Sequence, residues 1–133
     1  MKWQFQEDHT FEHRVTESQK IRTRYPDRIP VIVERAENST IEQIDKRKYL
    51  VPNDITVAQF MWIIRKRIDL APEKAIFLFV DRIVPQSSWT MGELYNSHRG
   101  KDGFLYVAYS GESTFGDRKS TRLNSSHANI SYA

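Results

Sequence analysis

A chain of 133 residues, 39% apolar and 28% charged, is long enough to bury one core and too polar to sit within a membrane. It has no cysteine, which excludes disulfides, thiolate metal sites and cysteine nucleophiles together. Of the formal charge of +3, residues 117–133 hold +2 through Arg118, Lys119 and Arg122 against Asp117. The body is left nearly neutral, and a nucleic-acid partner is not expected.

Residues 1–25 read as helical, in two pieces. Asp8 or Thr10 can cap a segment in which Phe11 and Val15, then Ile21 and Tyr25, lie four apart. Tyr25-Pro26 ends it, because a residue before proline is pushed out of the helical region. Ile29–Val33, β-branched nearly throughout with Pro30 near its start, predicts a buried strand. Ala36–Asp45 is turn-like and returns the chain to Lys46–Pro52 as a hairpin. In that second strand Lys46, Lys48 and Leu50 point one way, and Arg47, Tyr49 and Val51 the other. Lysines and a terminal proline mark a sheet edge. Two readings stay open: an ordinary edge strand with its apolar residues inward, or a strand that accepts an extended peptide by β-augmentation.

Thr56-Val57-Ala58-Gln59 is a capping box, and Val57, Phe60, Met61, Ile64 and Ile68 behind it keep helical spacing. Arg65, Lys66 and Arg67 in the last turn suit the negative end of the helix dipole. The continuous apolar run Ala75–Val80 predicts a central strand, and Ile83–Pro85 a short one after an Asp81-Arg82 turn. Thr90–Glu93 is a second capping box, opening a short helix through Tyr95. Asn96–Gly103 is a polar loop and Phe104–Tyr109 a last strand. Two helices followed by ββ-α-β-β-α-β is an α+β chain in the order of a ubiquitin-like β-grasp with two additional N-terminal helices. Three units are expected: a helical subdomain at 1–25 packed on the core, a ubiquitin-like core with its C-terminal arm at 26–116, and a disordered tail at 117–133. The tail looks like translated cloning-adaptor sequence, to be removed or not native. No apolar run nears the ~18 residues of a spanning helix, and Met1–Asp8 has no signal-like stretch, so a cytoplasmic protein is expected.

Several stretches resemble the autophagy ubiquitin-like modifier family, closest to its GABA type-A receptor-associated protein branch. They are Lys20-Ile21-Arg22, Tyr25 through Glu34, Asp45 through Pro52, Phe60 with Ile64 through Ile68, Thr90-Met91-Gly92, and Tyr109-Ser110 with Phe115-Gly116. The resemblance spans residues 1–116. It implies trimming by a cysteine protease to expose Gly116, followed by transfer through ubiquitin-like activating and carrier enzymes to phosphatidylethanolamine. The lipid is a covalent modification and no cofactor is implied. Localisation would be cytoplasmic, and on the autophagosome membrane once lipidated.

The resemblance also implies recognition of cargo receptors bearing short acidic aromatic-x-x-aliphatic motifs. Glu17, Ile21, Pro30, Lys48, Leu50 and Phe104 would form the aromatic pocket. Tyr49, Val51, Pro52, Ile55, Phe60 and Ile63 would form the aliphatic one. Arg28, Lys46 and Arg67, with Lys48, would meet the acidic flank. Ile55, Met61, Trp62 and Ile63 stand where relatives often carry other apolar residues, so the second pocket is expected to be reshaped. Ile76, Phe77, Leu78 and Phe79 occupy a position where relatives offer a further docking face, but an ordinary core strand is the favoured explanation.

Two other readings compete. His9-Thr10-Phe11-Glu12-His13 matches the H-x-x-E-H zinc-peptidase pattern, but five residues are easily met by chance and no downstream third ligand stands out. A cytoskeletal or trafficking linker could instead bind tubulin or receptor tails through Arg14, Lys20, Arg22 and Arg24. Such charge runs are more often solvated faces. A lipid-conjugated adaptor that is not an enzyme is the preferred expectation.

Overall fold

The computed structural model describes residues 1–112. Its elements are α1 (Gln4–Asp8), α2 (Phe11–Arg24), β1 (Arg28–Arg35), β2 (Lys48–Pro52), α3 (Val57–Arg67), β3 (Phe77–Phe79), α4 (Met91–His98) and β4 (Leu105–Ser110). The four strands form one sheet in the order β2-β1-β4-β3. β1 and β4 run parallel at the centre, and each outer strand pairs antiparallel with its neighbour. This is the ubiquitin-like β-grasp order, with α1 and α2 added in front.

Alternation along the strands divides the core between the two faces. Ile29, Val31 and Val33 of β1 join Leu105, Val107 and Tyr109 of β4 and Phe60 and Ile64 of α3 in the main cluster. Ile32 faces the other way, against Phe5 and Phe104, with Ile21 and Tyr106 at the margin. Both faces of β1 are therefore covered, which is why it reads as apolar throughout. Both capping boxes form in full: the Thr56 and Thr90 hydroxyls accept from the Gln59 and Glu93 amides, and those side chains return to the cap amides.

α1 is five residues long, and Trp3 gives it no side-chain cap. A helix this short has no stability of its own. Glu34, buried in β1, supplies the cap from thirty residues away: its two carboxylate oxygens accept from the Gln4 and Phe5 amides at 2.8 Å each. Phe5, fully buried, plugs into Phe104 with ring centroids 5.1 Å apart. Helix α2 starts on Thr10, whose hydroxyl accepts from the His13 amide. His9 lies outside that helix in extended backbone. The two histidines of the H-x-x-E-H pattern thus do not share one helix, although their rings sit 5.3 Å apart.

Two expected strands differ. Ala75–Val80 shrinks to three strand residues and lies at the sheet's edge rather than its centre. Its apolar run reports two covered faces, with Ile76 and Leu78 in the main cluster and Phe79 against Ala36 and Ala108 on the other side. Pairing on both edges is a separate property, which the pattern does not encode. Ile83–Pro85 forms no strand: Val80 and Ile83 exchange two backbone hydrogen bonds, of 2.9 and 3.0 Å, around Asp81-Arg82. The helix opened by Thr90 runs to His98, three residues beyond Tyr95.

Burial raises the hydroxyl pKa of Tyr49 to about 12, and pushes those of Tyr95 and Tyr109 upward too. Tyr106 is raised by burial and by its hydrogen bond to the Asp102 carboxylate. A folded-state pKa above the unfolded value of 10 means the unfolded chain loses its protons first as pH rises. Stability should thus be intact below pH 10 and fall as pH climbs toward 12, by about 2–3 kcal/mol from Tyr49 alone. Phenolate absorbance and circular dichroism, followed through an alkaline titration, should change together. Full tyrosine ionisation near pH 10 with the fold intact would contradict this.

Candidate functional site

The site is the outer margin of β2. As the last strand of the sheet, β2 pairs with β1 alone, and none of the described strands covers its other edge. Lys48 and Leu50 lie opposite Ile32 and Pro30 on the side of the N-terminal helices; Tyr49 and Val51 lie opposite Val31 and Ile29 on the side of α3. The alternation expected for this strand is what forms.

The residues assigned to the aromatic pocket come together on the α2 side. Ile21 packs against the cluster holding Phe104, and Leu50 is half-buried beside buried Pro30. Lys48 Nζ meets a Glu17 carboxylate oxygen at 2.8 Å, tying α2 to β2 across the mouth. Phe104 is only 1% exposed, so it is a floor and not a rim. On the α3 side, Tyr49 and Phe60 meet edge to face at 5.9 Å, and Phe60 is fully buried. Ile63 is exposed, while Pro52 and Ile55 are half-buried. The Tyr49 hydroxyl is buried and makes no hydrogen bond among the described residues. Such an unsatisfied group is costly until something pairs with it.

Three of the cations expected to meet an acidic flank, Lys46, Lys48 and Arg67, already have contacts of their own. Arg67 holds Asp45 through two hydrogen bonds of 2.9 and 3.2 Å, which keep that carboxyl below its ordinary range. Lys46 sits 5.0 Å from the centre of the Tyr49 ring. Arg28 is exposed, and its carbonyl accepts from Arg22 at 2.7 Å. These contacts lie in water, where such pairs contribute little and a ligand carboxylate can exchange with them.

Of the four residues assigned to the further docking face, Ile76, Leu78 and Phe79 are buried, and Phe77 is half-buried against Phe79 and Ala108. An apolar hollow of about 390 Å³ nevertheless opens beside them, between the start of α3 and Val84-Pro85. Among the basic residues of the linker reading, Arg14 is bound to Asp102 and to the Gln6 and His9 carbonyls. Arg22 is bound to the Pro26 and Arg28 carbonyls; only Lys20 and Arg24 are fully exposed. Gly116, the expected conjugation point, and the tail at 117–133 lie outside the described residues.

Reading the residues in order missed the groups that hold the N-terminal helices in place. Glu34 stands directly after the apolar run Ile29–Val33, where it passes for the start of a turn, and Asp102 lies in what looked like an ordinary polar loop. A charged residue within a strand buried on both faces was the one available signal for Glu34. Asp102 had none, because its partner is 88 residues away.

A family profile described as "Autophagy protein Atg8 ubiquitin like" matches residues 13–116. "Autophagy-related protein 8" of Schizosaccharomyces pombe is 59% identical over 116 residues, covering 87% of this chain and 96% of the relative. The protein of that description from Mycosarcoma maydis is 57% identical, covering 87% and 98%. The crystal structure of Trypanosoma brucei ATG8 superposes with a TM-score of 0.81 at 44% identity, covering 87% of this chain and all of that one. Plasmodium falciparum Atg8 in complex with a Plasmodium falciparum Atg3 peptide gives 0.79 at 40%, covering 86% and 100%. With the profile covering the β-grasp core and relatives at this identity matched over nearly their whole length, the chain belongs to the Atg8 ubiquitin-like family of autophagy proteins.

Proposed function

We propose that this chain is a modifier and not a catalyst. A cysteine protease exposes the carboxylate of Gly116, and activating and carrier enzymes pass it to phosphatidylethanolamine on the autophagosomal membrane. There the protein recruits cargo receptors through their acidic aromatic-x-x-aliphatic motifs. The chain has no cysteine with which to carry a thioester, so in such a cascade it is the group transferred. The observation that carries the recruiting half is the edge of β2 that no described strand pairs, with half-buried Leu50 on one face, half-buried Ile55 and exposed Ile63 on the other, and exposed Lys46, Lys48 and Arg67 beside it. A Plasmodium relative that takes an Atg3 peptide favours peptide recognition here as well.

The magnitudes suit a reversible binder. Two anchor side chains contribute ~1.5–3 kcal/mol each, and strand hydrogen bonds ~0.5–1.5 kcal/mol apiece. After ordering costs, the affinity is roughly micromolar, near about −8 kcal/mol. Many copies on one membrane raise the effective affinity, and two acyl chains hold each copy there.

The recruiting half is tested by titrating a peptide of three acidic residues followed by Trp-x-x-Leu into labelled protein. Amide signals of Lys48–Val51 should move at micromolar peptide. Leu50→Ala, which truncates a half-buried side chain, should weaken binding by roughly tenfold or more. Shifts confined to the β3 side of the sheet would overturn the assignment.

A further inference from the structure

The chain leaves the sheet at the end of β4, and the connection from β1 to β2 forms a collar around that point. The Ala36 amide donates to the Tyr109 carbonyl at 2.8 Å. The Tyr109 hydroxyl, at the tip of a fully buried side chain, donates to the Glu42 carbonyl at 2.6 Å. Arg35 donates to the Ile41 carbonyl at 2.9 Å, and the Ser39 amide to the Ala36 carbonyl at 3.1 Å. The collar is thus tied to β1 and β4 and to itself.

Strand pairing ends at Ser110, and amides beyond a strand are ordinarily left to water. Here two buried serines take the next two. Ser110 accepts from the Glu112 amide at 3.0 Å, a bond that closes locally, as many serine bonds do. Ser39, 6% exposed, accepts from the Ile41 amide at 3.3 Å and from the Gly111 amide at 3.2 Å. The bond to Ile41 is enough to shape the collar. The bond to Gly111 joins residues 72 apart and shapes the start of the C-terminal arm instead.

Gly111 fits this collar only as glycine. A Cβ there would stand 2.8 Å from Ile41 Cγ2, a methyl on a stiff β-branched side chain packed against the main cluster. The Gly116 carbonyl follows five residues later, at most ~18 Å of extended chain away. An enzyme that acts on Gly116 therefore works close to the collar. The direction in which Gly111 and Glu112 leave it sets how the arm is presented. Residues ordered beforehand need not be ordered again on binding, and a reacting carbonyl tolerates a misplacement of only ~1 Å.

We infer that Ser39 is a positioning residue for the chemistry at Gly116: its hydroxyl holds the Gly111 amide against Ile41 and so aims the arm at the enzymes that use it. The inference rests on the conjugation reading above. The test follows one step of it, hydrolysis of the Gly116–Asp117 amide bond, which adds water across that bond and releases residues 117–133. The full chain is incubated with the trimming cysteine protease of an Atg8 relative, and the products are followed by mass. Ser39→Ala should lower kcat/KM about five- to thirtyfold, as much as ordering one residue costs. The loss should fall on KM, because at saturation the enzyme itself holds the arm. Gly111→Ala should act in the same direction. A Gly-Ser-Gly insertion after Glu112 uncouples the collar from Gly116. In that chain Ser39→Ala should cost nothing further, whereas a defect of folding would persist. If the natural chain is not cut after Gly116, the conjugation reading falls and this inference with it. If it is cut, and both variants are cut at the natural rate, this inference alone is overturned. The same holds if Ser39→Ala costs as much with the insertion as without it.

Discussion

Asp102→Ala should lower the free energy of unfolding by about 3–5 kcal/mol, the cost of removing one partner of a buried ion pair. The Asp102 side chain is 3% exposed and that of Arg14 11%. One carboxylate oxygen accepts from Arg14 Nε at 2.8 Å and from the Tyr106 hydroxyl, and the other from the Phe104 amide at 3.1 Å. The Asp102 carbonyl accepts from the Ser18 hydroxyl, so the loop grips α2 at two points. Gly103 makes that approach possible: its φ is 93°, and a Cβ there would come 2.3 Å from Ser18 Oγ. Alanine at 102 leaves a guanidinium and a phenol without their acceptor beneath the N-terminal helices. Denaturant unfolding should show a lower midpoint at an unchanged slope if the whole domain unfolds together. A split transition would instead mean that α1 and α2 come away first. The double variant Asp102→Ala with Arg14→Met should regain part of the loss, since removing both partners costs less than stranding one. A double variant no more stable than Asp102→Ala would show that the charge pair is not the source of the effect.

What could be read in advance was what local chemistry dictates. The capping boxes at Thr56 and Thr90 placed the starts of α3 and α4, because their hydrogen bonds close within four residues. Alternation in Lys48–Pro52 placed the two sets of pocket residues on opposite faces, because the period of a strand leaves no other choice. Position within the sheet was not legible in the same way. The Ala75–Val80 run resembles a central strand because α3 and the N-terminal residues cover its two faces, and coverage looks the same at an edge. The caps of α1 and the anchor of α2 come from Glu34 and Asp102, at separations of 30 and 88 residues, where no spacing rule reaches. In the site itself, alternation could group side chains but could not say that Phe60 and Phe104 would be wholly interior, or that Lys48 and Arg67 would be held by Glu17 and Asp45.

Gly116→Ala should cut lipid attachment by a hundredfold or more in a reconstituted protease, activating-enzyme and carrier-enzyme system, a loss on the order of what a ~1 Å misplacement of a reacting group costs. The carbonyl of residue 116 would have to serve three times: as the bond cleaved by the protease, as the acyl group activated, and as the acyl group given to the lipid amine. Glycine presents that carbon with no Cβ beside it and can take backbone angles closed to other residues, so one methyl group is a penalty at every step. On the proposed assignment motif binding uses the β2 edge and should be untouched by this change, while Leu50→Ala should impair motif binding and spare conjugation. That double dissociation separates the covalent handle from the recruiting surface. If Gly116→Ala is lipidated at the natural rate, the handle lies elsewhere; if Leu50→Ala blocks lipid attachment outright, the two activities cannot be assigned to separate parts of the chain.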